Sequence, residues 1–337
     1  MRFGRARPFA IMGALLVCAG LLIPAVRADN WDPSRITHPP DSIAYFQAFD
    51  QRLQDVGWKL IRANAEFCEN AIPSIGLQIQ DVTTFGKPDL AREALELSGD
   101  FSVATAAKGS PAGESAALTR NREITHLGSV DLNALPTDQK QKWARLKRVH
   151  DLLDELLSQG APVSIRFADG DELRISPVSV CAARFELAAD EEKLVADDER
   201  VLIGIKSASF GYSEDVFAAG LAHELAHTVF KHRSWHKRLG RRFSRVRMTE
   251  KEADRLMPWL LINAGYDPRA SSAFFREYRP ASGSFLFFRG SHPKWREREK
   301  WVEAETAIIA PLMASEGKAD WRTHFVREID PNAGLER

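Results

Sequence analysis

The sequence has little of three things: net charge, cysteine and long apolar runs. Its 337 residues include 46 basic and 46 acidic side chains, so the formal net charge is zero. A balanced charge gives no global argument for a polyanionic partner such as nucleic acid, or for electrostatic attachment to anionic lipid. Internal repeats and long low-complexity tracts are also missing. Any specific chemistry must therefore come from local clusters of residues.

The one long apolar run lies at the N-terminus. Basic residues precede an apolar stretch over residues 9–25, and the tripeptide Val26-Arg27-Ala28 follows it. This order predicts a secretory signal peptide over residues 1–28 that is cleaved after Ala28. We therefore expect an exported protein.

Two other roles for this run are disfavoured. A membrane anchor needs about 20 apolar residues, whereas this run is shorter and contains Gly13, Gly20 and Pro24. Lipid attachment at Cys18 is disfavoured because Val17 is bulkier than the small residue that usually precedes a lipidated cysteine. We expect no transmembrane segment after cleavage.

Cleavage leaves two of the three cysteines, Cys68 and Cys181. Exported proteins meet oxidising conditions, so the pair is a candidate disulfide that would close a very long loop. Two buried free thiols are the alternative, because the sequence does not contain the geometry that decides between them.

Beyond the predicted signal peptide, three parts of the chain differ in the secondary structure that their sequence predicts. Residues 29–74 carry apolar positions at spacings of three and four, which predicts an amphipathic helix from Asp41 to about Phe67 that packs on the last part. Residues 75–178, which we call the β-rich module, favour short strands and turns. Residues 179–337 are mostly helix-forming.

Strand candidates occur both in the β-rich module and just after it. The clearest are residues 76–79, 163–167, 172–175, 185–187 and 201–205. A helix is predicted around residues 142–159, between the module's strands. The predicted fold class is therefore α+β, with a small β-rich module inserted before a mainly helical domain.

One predicted helix carries residues that can bind a metal. Ser213 is placed to cap it, and residues 214–230 continue as helix-forming sequence. His223 and His227 are four residues apart, so both imidazoles lie on one face and can reach a single cation. Glu224 then comes next to a metal-bound water, which is the arrangement of zinc peptidases with a His-Glu-x-x-His motif.

A catalytic zinc site needs a third protein ligand and an open position. The segment Met248 to Leu256 offers Glu250 and Glu252 on one predicted helix. Glu250 and Asp254 share a face, so the first can bind the metal while the second holds a ligand histidine. Spacing favours Glu250, and Glu252 is predicted instead to form a capping box with Thr249 at a helix start.

Three motifs follow one another in this part of the chain: His223-Glu224-Leu225-Ala226-His227, Glu250-Lys251-Glu252-Ala253-Asp254 and Ala264-Gly265-Tyr266-Asp267-Pro268. In this order they resemble the HtpX and CAAX-prenyl-protease type of gluzincin metallopeptidase. Members of that family also have a His-Pro loop before a helix, which Ser291-His292-Pro293 and the nearby Arg298 match.

The resemblance covers about residues 184–309 and implies a zinc metallopeptidase domain with one catalytic Zn²⁺. Residue by residue, it implies the ligands His223, His227 and Glu250, the general base Glu224, and the supporting residues Asp254 and Arg298. Family members embedded in the membrane have several spanning helices, and none is expected here. The chain is therefore more similar to the soluble periplasmic, BepA-like branch, which implies a periplasmic location.

Three other histidines need separate interpretations. His292 could stabilise an oxyanion, occupy the open zinc position in a resting state, or cap the turn at Pro293. His232 and His236 lie among lysines and arginines, so we expect them on a solvated basic face and not at the metal.

The β-rich module also resembles a known domain. Residues 103–132 are similar to a PDZ domain of the bacterial protease type through Gly109-Ser110-Pro111-Ala112, Ala117-Leu118 and Glu123-Ile124. Such domains bind extended peptide ends by adding a strand to a sheet edge, and the candidate edge here is residues 75–79. A β-rich insertion that serves only as a lid or spacer is the alternative.

The predicted function is that of a zinc endopeptidase acting on envelope proteins, with misfolded ones as candidate substrates. One alternative is a chaperone or adaptor that binds unfolded envelope proteins while its zinc site stays closed. Another is a zinc-stabilised structural domain, which would need four protein ligands.

Overall fold

The computed structural model describes residues 36, 38, 42–137, 140–141, 143–189, 194–277 and 294–335. The predicted signal peptide, Cys18 and His292 lie outside these residues. Of the structure, 48% is helical and 18% is strand, which confirms an α+β class.

Helices and short strands alternate along the first half of the chain, and helices dominate the second half. In order they are α1 (Ile43–Ala63), β1 (Ala71–Ser74), β2 (Leu77–Asp81), α2 (Pro88–Leu95), β3 (Phe101–Ala106), β4 (Ile124–Leu127), β5 (Val130–Asp131), α3 (Trp143–Ser158), β6 (Val163–Phe167), β7 (Glu172–Ile175), β8 (Val178–Cys181), β9 (Arg184–Ala188), β10 (Leu194–Ala196), β11 (Arg200–Gly204), α4 (Glu214–Val229), α5 (His232–Leu239), α6 (Phe243–Asn263), α7 (Ala270–Glu277), α8 (Trp295–Glu316) and α9 (Trp321–His324).

Helix α1 forms where the spacing of apolar residues predicts it. Ser42 caps it, since its hydroxyl oxygen accepts a hydrogen bond from the amide of Tyr45. Leu53 and Leu60 are fully buried along its apolar face. At its end the side-chain amide of Asn64 donates a hydrogen bond to the backbone carbonyl of Leu260 in α6, which fixes α1 against the helical part of the chain.

The β-rich module and the helical part of the chain have separate hydrophobic cores. The larger core joins α1 to the helices that follow residue 213 and includes Phe217, Leu221 and Trp259. The smaller core lies between residues 75 and 175 and is formed by strands of the β-rich module packed on α3. Each group of elements therefore buries its own apolar side chains.

The strands of the β-rich module pair mainly as antiparallel neighbours. Four of them form a sheet in the order β5-β4-β6-β7, and β2 pairs with β3. The bounds of β6 and β7 agree with the predicted strands 163–167 and 172–175. Helix α2 was not predicted, because its apolar positions are too few to produce a clear period over eight residues.

A two-stranded ribbon closes the base of the module. Strand β1 pairs antiparallel with β8, so Ala71 lies opposite Cys181. The Sγ atoms of Cys68 and Cys181 are bonded at this place, 113 residues apart in sequence. The predicted disulfide is confirmed, and it joins the segment that enters the module to the strand that leaves it.

The length of the loop that this disulfide closes predicts how much the bond adds to the free energy of unfolding. Replacing both Cys68 and Cys181 by Ala should lower the free energy of unfolding by about 2–5 kcal/mol, because the unfolded chain regains the freedom of a long loop. Denaturant unfolding under oxidising conditions measures the change. Reduced wild-type protein is the control and should show the same loss; equal stability of oxidised wild type and variant would contradict this account.

Polar side chains join α1 to the β-rich module. The buried carboxylate of Asp50 accepts hydrogen bonds from Gln54 at 3.0 Å and from Thr105 of β3 at 3.3 Å. Gln47 donates to Gln80 of β2 at 3.0 Å. Burial raises the pKa of Asp50 to about 6, because these hydrogen bonds only partly offset the loss of hydration.

This raised pKa gives a pH dependence of stability with a defined sign. The native carboxyl holds its proton more tightly than the unfolded one, whose pKa is 3.8. The free energy of unfolding should therefore fall as pH rises from about 4 to about 6, by at most about 3 kcal/mol from this group. Asp50→Asn should remove that part of the dependence and be more stable than wild type near neutral pH.

Denaturant unfolding across this pH range measures the effect. Asp131→Asn is a matched control, because Asp131 is exposed in β5. Parallel pH profiles for wild type and Asp50→Asn would show that the buried carboxyl is not the cause.

One side of the predicted peptide-binding edge at residues 75–79 is paired with β3 and with the segment that follows it. The carbonyl oxygens of Ile75 and Gly76 accept hydrogen bonds from the amides of Ala112 and Ala107. On the other side, an open pocket separates β2 from α3 and α1. Among the described residues, no strand other than β3 pairs with β2.

Candidate metal site

Helix α4 carries the His-Glu-x-x-His motif through the middle of the larger core. Almost every residue from Val216 to Ala226 is buried, which agrees with a helix that is apolar on nearly all sides. Ser213 is its N-cap residue, but the serine side chain makes no capping hydrogen bond. The predicted helix is therefore confirmed, and its position is fixed by packing more than by the cap.

Three side chains bring their donor atoms to one point. Nε2 of His223 and Nε2 of His227 are 3.2 Å apart. Glu250 of α6 lies opposite, with Oε2 3.3 Å from Nε2 of His223 and Oε1 3.6 Å from Nε2 of His227. Among the described residues, these three form a group that could hold a metal ion.

The spacing of the donors fits a small tetrahedral cation. Zinc binds imidazole nitrogen and carboxylate oxygen at about 2.0–2.2 Å, so adjacent donors of a tetrahedral ion are roughly 3.3–3.6 Å apart. The distances of Nε2 of His223 from Nε2 of His227 and from Oε2 of Glu250 agree with this spacing, and the 3.6 Å distance joins His227 to the other oxygen of Glu250. A set of two imidazoles and one carboxylate also leaves one tetrahedral position for a non-protein ligand.

Helix α6 supplies the carboxylates and is longer than the sequence predicts. It begins at Phe243, so Thr249 and Glu252 lie inside it, and the predicted capping box is wrong. The hydroxyl of Thr249 donates instead to the carbonyl of Val246 one turn earlier. Glu250 and Asp254 share the face toward α4, as their spacing of four residues predicts.

Asp254 holds His223 from the side opposite to the metal donors. Its Oδ1 is 3.0 Å from Nδ1 of His223, and Arg298 of α8 donates to both of its oxygens at 2.6 and 2.7 Å. Burial favours the neutral acid, but Arg298 and His223 outweigh it and lower the pKa of Asp254. The carboxylate therefore stays charged and orients the imidazole.

The carboxylates also favour a positive charge at His223. Burial alone would disfavour the charged imidazole, yet Asp254 and Glu250 together raise the pKa of His223 to about 10. Two carboxylates that stabilise a proton here would also stabilise a metal cation bound to the same ring.

Glu224 is buried beside these groups, on the same turn of α4. Burial raises the pKa of Glu224, while the charges of His223 and His227 act in the opposite direction. A carboxylate in such surroundings takes up a proton more readily than one in water, which suits a group that accepts and returns protons.

His232 and His236 are not on a solvated basic face, so that expectation is wrong. They are 2% and 7% exposed. Nδ1 of His232 lies 2.8 Å from Nδ1 of His227, and His232 Nε2 lies 2.8 Å from Glu252. Burial lowers the pKa of His232 to about 4 in spite of Glu252, so its ring is neutral.

A sharp turn explains why the sequence did not reveal this arrangement. Helix α4 ends at Val229, and Lys231 takes a left-handed backbone conformation with φ of 53°. Non-glycine residues adopt it infrequently, so nothing in the sequence predicts a reversal there. The turn brings α5 back against α4, and His232 then faces His227 instead of solvent.

The third motif of the resemblance lies at the end of α6. Gly265 has a φ of +74°, which lets the chain leave the helix at a position where an L side chain would be strained. Tyr266 then donates from its hydroxyl to Glu214 in the first turn of α4 at 3.1 Å. This motif therefore ties the end of α6 to the start of the histidine helix.

Comparison of the chain with protein-family models, with curated proteins and with solved structures found no match. Over the residues that the structure describes, no helix combines the length and the apolar character that crossing a membrane requires.

The positions of the three donor side chains predict that zinc binding requires the carboxylate of Glu250. Glu250→Ala should reduce bound zinc well below one ion per chain after dialysis, because two imidazoles alone leave the cation underligated. Glu224→Gln is the matched control, since it alters a buried glutamate of α4 that is not among the three donors. Metal analysis of both variants checks this; full zinc content in Glu250→Ala would assign the third ligand elsewhere.

Proposed function

We propose that the protein is a zinc-dependent endopeptidase of the HtpX and CAAX-prenyl-protease type. The observation that carries the proposal is the convergence of Nε2 of His223, Nε2 of His227 and the carboxylate of Glu250 at tetrahedral spacing. Glu224 adds a buried carboxylate beside this set. The motif order in the sequence supports the same family.

The residues around the set have separate tasks in this proposal. His223, His227 and Glu250 would hold the ion, and Asp254 with Arg298 keeps His223 oriented toward it. A zinc ion in such a set supplies Lewis acidity toward a scissile carbonyl and a water molecule.

Glu224 is the proposed general base. Its carboxylate takes a proton from water during attack and delivers it to the leaving amine, which balances the protons over one hydrolysis. The raised pKa of Glu224 supports this role, because a more basic carboxylate accepts the proton more readily. The ligand motif does not determine the substrate sequence, which depends on the cleft beside the metal.

The proposed substrates are exported proteins with an unfolded or extended segment. The predicted signal peptide and the resemblance to a periplasmic branch support this choice. An extended backbone is the form in which a peptide bond can reach a base and a metal at the same time.

Hydrolysis by the purified mature protein tests the proposal. A dye-labelled, denatured and alkylated protein should be cleaved; a chelator should stop cleavage and added zinc should restore it. Glu224→Gln should lower kcat by about 10²–10⁴-fold, the usual contribution of general acid–base catalysis. Its zinc content should stay unchanged.

A surface change controls for nonspecific effects of this substitution. Glu303→Gln makes the same chemical change at an exposed position of α8 and should leave cleavage intact. Undiminished cleavage by Glu224→Gln would show that Glu224 is not the general base. If wild type cleaves nothing but both proteins suppress aggregation of the unfolded substrate equally, the chaperone function is correct instead.

A further inference from the structure

A line of buried polar contacts leads from His227 to the C-terminal segment. Nδ1 of His227 is 2.8 Å from Nδ1 of His232, and Nε2 of His232 is 2.8 Å from Oε2 of Glu252. His232 and Glu252 are 2% and 0% exposed. Polar groups are buried in this way only when they satisfy one another.

The far end of this line is fixed by residues that follow the last helix. Arg327 donates to both oxygens of Glu252 at 2.7 and 2.9 Å, and the amide of Glu328 donates to Oε1 at 2.7 Å. The guanidinium of Arg327 also lies over the ring of Phe230, 3.7 Å from its centre. Glu252 thus accepts several hydrogen bonds in one orientation.

These contacts determine where the protons lie. Because the carboxylate of Glu252 only accepts hydrogen bonds, Nε2 of His232 must carry a hydrogen. A ring that carries its hydrogen on Nε2 presents a lone pair at Nδ1, which lies 2.8 Å from Nδ1 of His227 and can accept a hydrogen bond from it. His227 is left with its lone pair on Nε2, the atom that faces His223 and Glu250.

We propose that His232 is a positioning residue for the metal site: held by Glu252 and Arg327, it fixes His227 in the tautomer that binds the cation through Nε2. The proposal rests on the metal site proposed above. It makes the C-terminal segment around Arg327 part of that site, although this segment lies 100 residues after His227 in the chain.

The other ligand histidine has an equivalent support built from different residues. His223 meets the carboxylate of Asp254 directly, and Arg298 holds that carboxylate. His227 meets a carboxylate through one extra imidazole, and Arg327 holds it. Each ligand ring is therefore oriented by a carboxylate of α6 with an arginine behind it.

A matched pair of histidines in α5 allows a direct test. His236 is also buried in α5, but its Nε2 contacts the hydroxyl of Thr249 at 3.0 Å and not a metal ligand. His232→Leu should weaken zinc binding by about 10–100-fold, the usual cost of losing a group that orients a ligand. His236→Leu should leave zinc affinity within about threefold of wild type, a difference too small to indicate a lost orienting group.

Zinc affinity is measured by competition with a chromogenic chelator, and thermal unfolding of the metal-free proteins is measured beside it. A purely structural role would lower the melting temperatures of both variants without separating their zinc affinities. His232→Asn should recover part of the affinity, because its side-chain oxygen can take the place of Nδ1. The visible spectrum of the Co²⁺-loaded protein should change in His232→Leu and not in His236→Leu.

Two milder substitutions keep the test decisive if His232→Leu does not fold. Glu252→Gln allows the side-chain amide to donate to Nε2 of His232, which favours the other tautomer of the ring. Arg327→Gln removes the ion pair that holds Glu252, at a position where the arginine side chain is only partly buried. Both should weaken zinc binding. Unchanged affinity in these folded variants, or equal affinities of His232→Leu and His236→Leu, would overturn the positioning role while the metal site stands. Failure of the wild-type protein to bind zinc would overturn both the positioning role of His232 and the metal site.

Discussion

The site depends on the packing of α4 against α6 inside the larger core. This contact places the imidazoles of one helix against the carboxylates of the other, away from water. A buried charge is costly unless a partner of opposite charge and hydrogen bonds compensate it. The compensation comes from outside the helix pair: Arg298 arrives from α8 and Arg327 from the C-terminal segment. The rest of the helical part therefore holds the charges of the site in place.

Helix α6 presents its acidic residues in more than one direction, and that division organises the site. Glu250 and Asp254 are four residues apart and face α4, whereas Glu252 is two residues from each and faces α5 and the C-terminal segment. One helix thus contributes Glu250 to the candidate metal site and a separate carboxylate contact toward each of its two histidines. A change in the rotation of α6 about its axis would disturb all three at once.

Local patterns predicted much of this arrangement, because they depend only on helix geometry. The period of four residues places His223 with His227 and Glu250 with Asp254, and apolar periodicity predicts α1, α3 and several strands. The contacts of His232, Glu252 and Arg327 were not predictable in the same way. They require the left-handed turn at Lys231 and a contact between residues 75 positions apart. The pairing of Cys68 with Cys181 likewise depends on the ribbon between β1 and β8.

Helix α1 packs its apolar side chains into the larger core and meets the β-rich module through polar side chains. Phe49, Val56 and Leu60 lie in the larger core, while Gln47 and Asp50 contact β2 and β3 of the module. An interface of buried polar groups gains less net stability than an apolar one, because each hydrogen bond replaces one to water. The module is therefore held by the disulfide, by these polar contacts, and by apolar contacts such as that of Trp58 with the chain at Gly76.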